Sequence, residues 1–136
     1  MSLAEKHVVI SGGGSGVGAE MAVQFAQVGA KVTILGRRAA ALDEVAQKCD
    51  ALSVACDVTN RDGLNAGLAV AADLNGPIDI AIANAGAAPS IPFDKMSVQD
   101  FDASLAVNLT GVFNLWQACF PTMKTQGWGR LIAVSS

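Results

Sequence analysis

Ser11-Gly12-Gly13-Gly14-Ser15-Gly16-Val17-Gly18 follows the apolar stretch His7-Val8-Val9-Ile10 and opens a segment carrying Val17, Met21, Phe25 and Val28 at helical spacing. A β-branched run, a glycine turn and an amphipathic segment read as strand, tight turn and helix, with Gly29 as the stop. The glycines thus stand at a helix entry, where the first N–H groups lack partners within the helix and can bind phosphate. The pattern G-x-G-x-x-G fits in no register, but the longer G-x-x-x-G-x-G fits Gly12, Gly16 and Gly18. In that register Gly12 makes the turn, Gly16 lets backbone approach a pyrophosphate, and Gly18 permits close packing of helix on strand. Gly18 is followed by Ala19-Glu20 rather than by Lys-Ser or Lys-Thr, which excludes a phosphate-loop NTPase.

Strands and helices alternate from there with short connections. Lys31 to Leu35 reads as a second strand, Ala39 to Cys49 as a helix, Leu52 to Ala55 as a third strand and Leu64 to Leu74 as a helix, with Thr59 and Asp62 as its cap. Ile78 to Ala83 reads as a fourth strand. Ser97 and Asp100 cap a long helix running towards Gln126, and Gly127-Trp128-Gly129 turns into a fifth strand, Arg130 to Ser135. Such alternation predicts an α/β fold, a doubly wound parallel sheet of Rossmann type with helices on both faces. No repeat or linker interrupts it, so residues 1–136 read as a single domain.

In an open parallel sheet ligands bind beyond the carboxyl ends of the strands, so those ends carry the functional expectations. The second strand ends in Gly36-Arg37-Arg38, where a site for NAD would place an acid on the ribose hydroxyls. Arg37 can instead grip a 2′-phosphate with its guanidinium fork, which favours NADP over NAD; the bland alternative is a pair of solvated arginines. Asp57-Val58, after the third strand, offers a carboxylate and a backbone N–H to an adenine edge, although Asp57 could equally be turn chemistry before Thr59. Asn84-Ala85-Gly86, after the fourth, combines an amide with small residues where backbone would approach a ribose, and is also ordinary loop material. Asn108 falls within an apolar helical stripe of Phe101, Leu105, Val112, Leu115 and Cys119. It is either a core amide bonded to nearby backbone or a residue that bends the helix and holds a water or catalytic group.

Composition narrows the classes of partner. Charged residues make up 15% and the net charge is −3, which argues against nucleic acid. No apolar run approaches the twenty residues of a membrane span, and the start Met1-Ser2-Leu3-Ala4-Glu5-Lys6 lacks a leader pattern, so a cytoplasmic location is expected. Cys49, Cys56 and Cys119 show no metal-binding spacing and fit reduced thiols. The single histidine, His7, is expected at the surface or at an edge.

Taken together, Ser11-Gly12 with Gly16-Val17-Gly18, Asp57-Val58, Asn84-Ala85-Gly86, Asn108 in Val107-Asn108-Leu109-Thr110-Gly111, and Gly129 to Ser136 strongly resemble the classical short-chain dehydrogenase/reductase family, in order and spacing, over essentially the whole chain. Ser11 stands where threonine is usual, and Ala83 where a first asparagine is common. The resemblance implies an oxidoreductase moving a hydride between NADP(H) and a carbonyl or alcohol substrate. Gly12, Ser15, Gly16, Val17 and Gly18 would bind its pyrophosphate, Arg37 and Arg38 the 2′-phosphate, Asp57 and Val58 the adenine, and Asn84, Ala85 and Gly86 the ribose side. Asn108 and Ser136 would be catalytic, with Ser136 rather than Ser135 as the serine, and no metal is implied.

The family's Tyr-x-x-x-Lys pair would fall beyond residue 136, and the chain holds no tyrosine. The expectation is therefore strands one to five of the family's seven, a cofactor-binding portion incomplete at its C-terminal end. Its alternative function is a catalytically incomplete nucleotide-binding fragment. The resemblance also implies a homodimer or homotetramer formed through the Ser97-to-Gln126 helix. Substrate is open: Pro89, Ile91, Pro92 and Phe93 would give the pocket wall an apolar character compatible with a 3-oxoacyl thioester, a steroid, a sugar or a small ketone.

Overall fold

The computed structural model describes residues 2–135. Five parallel strands form one sheet, β1 (His7–Ser11), β2 (Lys31–Gly36), β3 (Leu52–Ala55), β4 (Ile80–Ala83) and β5 (Arg130–Ala133), in the order β3-β2-β1-β4-β5. The order reverses between β1 and β4, the topological switch point of a doubly wound sheet. Helices α1 (Gly16–Gln27) and α2 (Ala39–Cys49) cover one face, packing over Val8, Ile10, Ile34 and Ile82. Helices α3 (Arg61–Asn75) and α5 (Gly111–Gln126) cover the other, over Val9, Leu35 and Ala81. Strands buried on both faces favour apolar residues at successive positions, which is why Val8-Val9-Ile10 of β1 and the whole of β4 read as runs rather than as alternations.

Several boundaries differ from expectation for local reasons. Helix α3 starts at Arg61, because the Asn60 side chain, not that of Thr59, accepts the Gly63 N–H at 3.1 Å and is the cap. The capping box is as expected at Ser97 and Asp100, each side chain bonding the other's backbone N–H at 3.0 and 3.1 Å. The long helix is not uniform, however. It comprises α4 (Val98–Leu105), a single widened π turn at Ala106–Thr110, and α5. Its apolar stripe is buried only in the second half: Leu115 and Cys119 are in the core, whereas α4 buries no residue and leaves Phe101 and Leu105 exposed.

His7 is a correction too. It is 1% exposed, with its Nδ1 2.8 Å from the Gly76 carbonyl and its Nε2 2.8 Å from the Thr33 hydroxyl. A carbonyl only accepts, so Nδ1 carries the proton and the Thr33 hydroxyl donates to Nε2. Asn75 in turn donates to that hydroxyl at 3.3 Å, and the Asp79 carboxylate accepts the His7 N–H at 2.8 Å. A buried imidazole satisfied at both nitrogens ties β1 and β2 to the turn before β4. At the same end of the sheet Trp128 lies between Lys6 and Arg130, 4.5 and 4.6 Å from its ring centre, linking the starts of β1 and β5.

Candidate functional site

The glycine turn is interlocked with the end of β4. Gly12 has φ +67°, a conformation in which a side chain is strained, and an added Cβ would lie 2.9 Å from the Ala85 Cα. An added Cβ on Gly18 would overlap the Gly12 carbonyl oxygen and sit 2.6 Å from the Asn84 Nδ2, the amide that donates to that same oxygen at 3.2 Å. Ser11, noted in the sequence only as a departure from threonine, buttresses this junction. Its Oγ accepts the N–H groups of Asn84 and Ala85, both at 3.0 Å. Gly13, unassigned by sequence, lets the turn lie against β2, since a Cβ there would fall 2.5 Å from that of Ile34.

Gly16 is different in kind. It has φ +54° with nothing within 4 Å of an added Cβ, so the chain itself leaves space above it. Ser15 caps α1 with extended backbone yet makes no side-chain cap hydrogen bond, and the first turn of α1 holds no acidic residue. Unfilled space, an uncommitted hydroxyl and unopposed helix N–H groups fit the phosphates of a dinucleotide.

Three hollows run along the carboxyl ends of the strands. One of about 300 Å³ joins Gly12, Gly14 and Ser15 to Arg37 and Arg38. A second of about 150 Å³ lies between Asp57-Val58 and Ala85-Gly86, with Arg37, Cys56 and Val107 also on its walls. A third of about 480 Å³ is lined by Asn84, Gly86, Asn108, Val112 and Ser135, among others. Gly12, Ser15, Arg37, Arg38, Asp57, Val58, Asn84, Ala85, Gly86 and Asn108 thus line these hollows, whereas Gly16, Val17 and Gly18 line none of them and stand in the first turn of α1, with Val17 exposed. Ser136, the expected catalytic serine, lies outside the described residues. The loop wall keeps its apolar residues outward rather than inward at Phe93, which is 95% exposed.

Electrostatics follow from these contacts. The Thr59 hydroxyl and N–H donate to the same Asp57 oxygen at 2.7 and 2.9 Å and hold this carboxyl below the ordinary carboxylate range; the Arg37 charge adds to the effect. Burial, with the Asp57 charge, pushes the neighbouring Cys56 thiol up. Burial alone pushes Cys119 up to about 12, so neither is a thiolate at neutral pH. Among the described residues no cluster of His, Cys, Asp or Glu is arranged to hold a metal ion.

Two asparagines of the long helix hold the crevice walls. Asn108, in the π turn, bonds both backbone groups of Ala87. Asn114 is 4% exposed and donates to the Val58 carbonyl at 2.9 Å. Sequence reasoning missed Asn114; the available signal was an amide one place before Leu115, in the core stretch of an amphipathic helix. Asn108 is exposed rather than a core amide; it does bond backbone, but that of a loop 21 positions earlier, and it lies where the helix is distorted.

The fold and this crevice define an α/β protein of Rossmann type with a glycine turn at its switch point. The short chain dehydrogenase family model matches residues 6–136, and the chain belongs to that family. It is 34% identical over 137 residues to an oxidoreductase of Staphylococcus aureus, covering 98% of this chain and 59% of the relative. A Staphylococcus epidermidis oxidoreductase is 32% identical over 134 residues, with 97% and 58% covered. Among solved structures, a short-chain dehydrogenase/reductase from Mycobacterium marinum superposes with a TM-score of 0.94 at 33% identity, over 99% of this chain and 57% of that one. A 7α-hydroxysteroid dehydrogenase in complex with NADH and 7-oxo glycochenodeoxycholic acid also gives 0.94, at 32% identity over 99% and 55%. The chain therefore spans less than two thirds of the length of these relatives.

Proposed function

We propose that this chain is the cofactor-binding part of an NADP-dependent reductase or dehydrogenase acting on a carbonyl or alcohol. The observation that carries NADP over NAD is the end of β2, where Gly36 is followed by Arg37 and Arg38 beside the phosphate turn and no acid stands at that place. A guanidinium fork meets a 2′-phosphate bidentately, whereas ribose hydroxyls call for a carboxylate. In this reading Gly12 to Gly18 with Ser15 hold the pyrophosphate, Arg37 and Arg38 the 2′-phosphate, Asp57 and Val58 the adenine, and Asn84 to Gly86 the ribose side. The nicotinamide, when bound, supplies the hydride chemistry.

In this reading Ser136 holds the substrate oxygen, and Asn108 keeps the loop after β4 in place. With no tyrosine among the 136 residues, the proton comes from the Tyr-x-x-x-Lys pair that the family resemblance implies further along. That same lack of tyrosine favours a second reading, in which these residues by themselves bind a nucleotide and turn nothing over. The substrate class reaches from 3-oxoacyl thioesters to steroids. Pairing into a dimer or tetramer through residues 97–126 is supported by the exposed Leu109, Phe113 and Phe120. Calorimetric titration of the chain with NADP and with NAD tests the proposal. Tighter binding of NADP by about tenfold or more is the expected result, and equal or inverted affinities overturn it.

A further inference from the structure

The second hollow is built as a reader of hydrogen-bond pattern. Its wall offers one acceptor and one donor on adjacent residues, the Asp57 carboxylate and the Val58 N–H. One oxygen of that carboxylate is fully engaged by Thr59, through both hydroxyl and backbone N–H. The other oxygen, and the Val58 N–H, have no partner among the described residues, and both residues line the hollow. The Val58 carbonyl is held from behind by the buried Asn114 amide, 56 positions along the chain. The Val58 N–H shares its peptide plane with the Asp57 carbonyl, which accepts the Asn60 N–H at 2.9 Å. An acceptor and a donor held on both sides in this way match a base edge presenting an amine beside a ring-nitrogen acceptor. The 6-amino edge of adenine has that order, and the 6-oxo edge of hypoxanthine reverses it at both atoms.

We infer that Thr59 and Asn114 are positioning residues that fix the Asp57-Val58 pair so that it selects a 6-aminopurine against a 6-oxopurine. The inference rests on the proposed seating of adenine at Asp57-Val58. Thr59 acts on the carboxylate, removing its freedom to swing and leaving one oxygen for the base. Asn114 acts on the peptide plane after Val58, and the close fit of Gly111 against the Val58 side chain, 2.6 Å from where a Cβ would stand, limits any other route of adjustment. Rigidity matters because rejection of a wrong base depends on leaving its polar atoms unpaired, and a mobile carboxylate would turn to accept the N1–H of hypoxanthine instead.

The test is binding of NADP and of its hypoxanthine analogue by calorimetry to the intact chain and to Thr59→Val, Thr59→Ser and Asn114→Leu. The intact chain is expected to prefer adenine by roughly tenfold or more, the scale of one hydrogen bond to a charged group. Thr59→Val and Asn114→Leu should each lower that ratio at least threefold, while Thr59→Ser, which keeps the hydroxyl, restores it. Thr59→Val should also move the acid limb of NADP binding to higher pH, because the carboxyl loses the bond that keeps it ionised. A folded Thr59→Val chain with an unchanged ratio and limb overturns the inference, as does an intact chain that binds both analogues alike. Failure of the intact chain to bind any dinucleotide would instead overturn the proposed function on which it rests.

Discussion

Asn108 clamps Ala87 from both sides: its Oδ1 accepts the Ala87 N–H at 3.1 Å and its Nδ2 donates to the Ala87 carbonyl at 2.6 Å. The pair joins a widened helical turn to the loop after β4, 21 positions earlier, and so fixes the wall of the crevice next to Gly86. Asn108→Leu keeps the volume and removes both bonds. It should release the loop, at a cost of about 1 kcal/mol because the bonds are solvent-exposed. Hydrogen exchange by NMR should show the Ala87 amide losing protection; unchanged protection would mean that the loop is held by something else.

Arg37→Ala should weaken NADP binding by about 1–3 kcal/mol, the scale for a lost charged hydrogen-bonding partner, and leave NAD nearly untouched. Titration of both cofactors against this variant measures the difference. An equal loss for the two would remove Arg37 from the 2′-phosphate.

Gly16 and Gly18 should respond in opposite ways. Gly18→Ala drives a methyl into the Gly12 carbonyl and the Asn84 amide, so thermal unfolding should show a loss of about 1–3 kcal/mol or failure to fold. Gly16→Val places its Cβ where no atom of the chain lies within 4 Å, and costs about 1–2 kcal/mol of backbone strain from its positive φ. It should keep its helical signal and lose dinucleotide binding, because the side chain fills the space left for phosphate. Retained affinity in that variant would place the phosphates elsewhere.

The His7 network makes stability pH-dependent. Burial holds the imidazole below its ordinary value of 6.5, against the opposing influence of the Gly76 carbonyl and Asp79. With the folded value below the unfolded one, the unfolded chain takes up the proton first as pH falls. The stabilisation is complete above 6.5 and is lost as pH drops from there through the lower folded value. Melting temperatures from pH 8 to 5 should fall in that window, and His7→Asn should flatten the profile while lowering it. Asp57, depressed from 3.8, contributes in a separate window below that value. A wild-type profile flat from pH 7 to 5 would contradict the buried neutral imidazole.

Local rules account for much of what was legible in the chain. The glycine register at Gly12, Gly16 and Gly18, the apolar runs of β1 and β4, the Ser97-Asp100 capping box and the Gly29 stop are short-range features. Each rests on backbone sterics or on hydrogen bonds between near neighbours, and the alternation of the elements then allows few topologies other than a parallel sheet with a switch point. The strand-end residues Arg37, Asp57 and Asn84 followed from that topology, since any parallel sheet delivers them to one edge.

Tertiary packing decided the remainder. His7 looked like an edge residue because a lone polar group at a strand start is usually wet; it is buried because Gly76 and Thr33, from two other segments, satisfy it, with Asn75 bonding the Thr33 hydroxyl in turn. Thr59, by contrast, looked like a cap and serves Asp57 two positions away, a local choice that the turn reading of Asp57 had already allowed. The π turn, the Asn108–Ala87 clamp and the Asn114–Val58 bond are likewise invisible in the helical pattern. The sequence by itself determined which residues could bond and which faces were apolar. Which partners they met, across 21 to 72 positions of chain, was decided only when the sheet brought β1, β4 and the long helix together, because a hydrogen bond depends on distance in space and not along the chain.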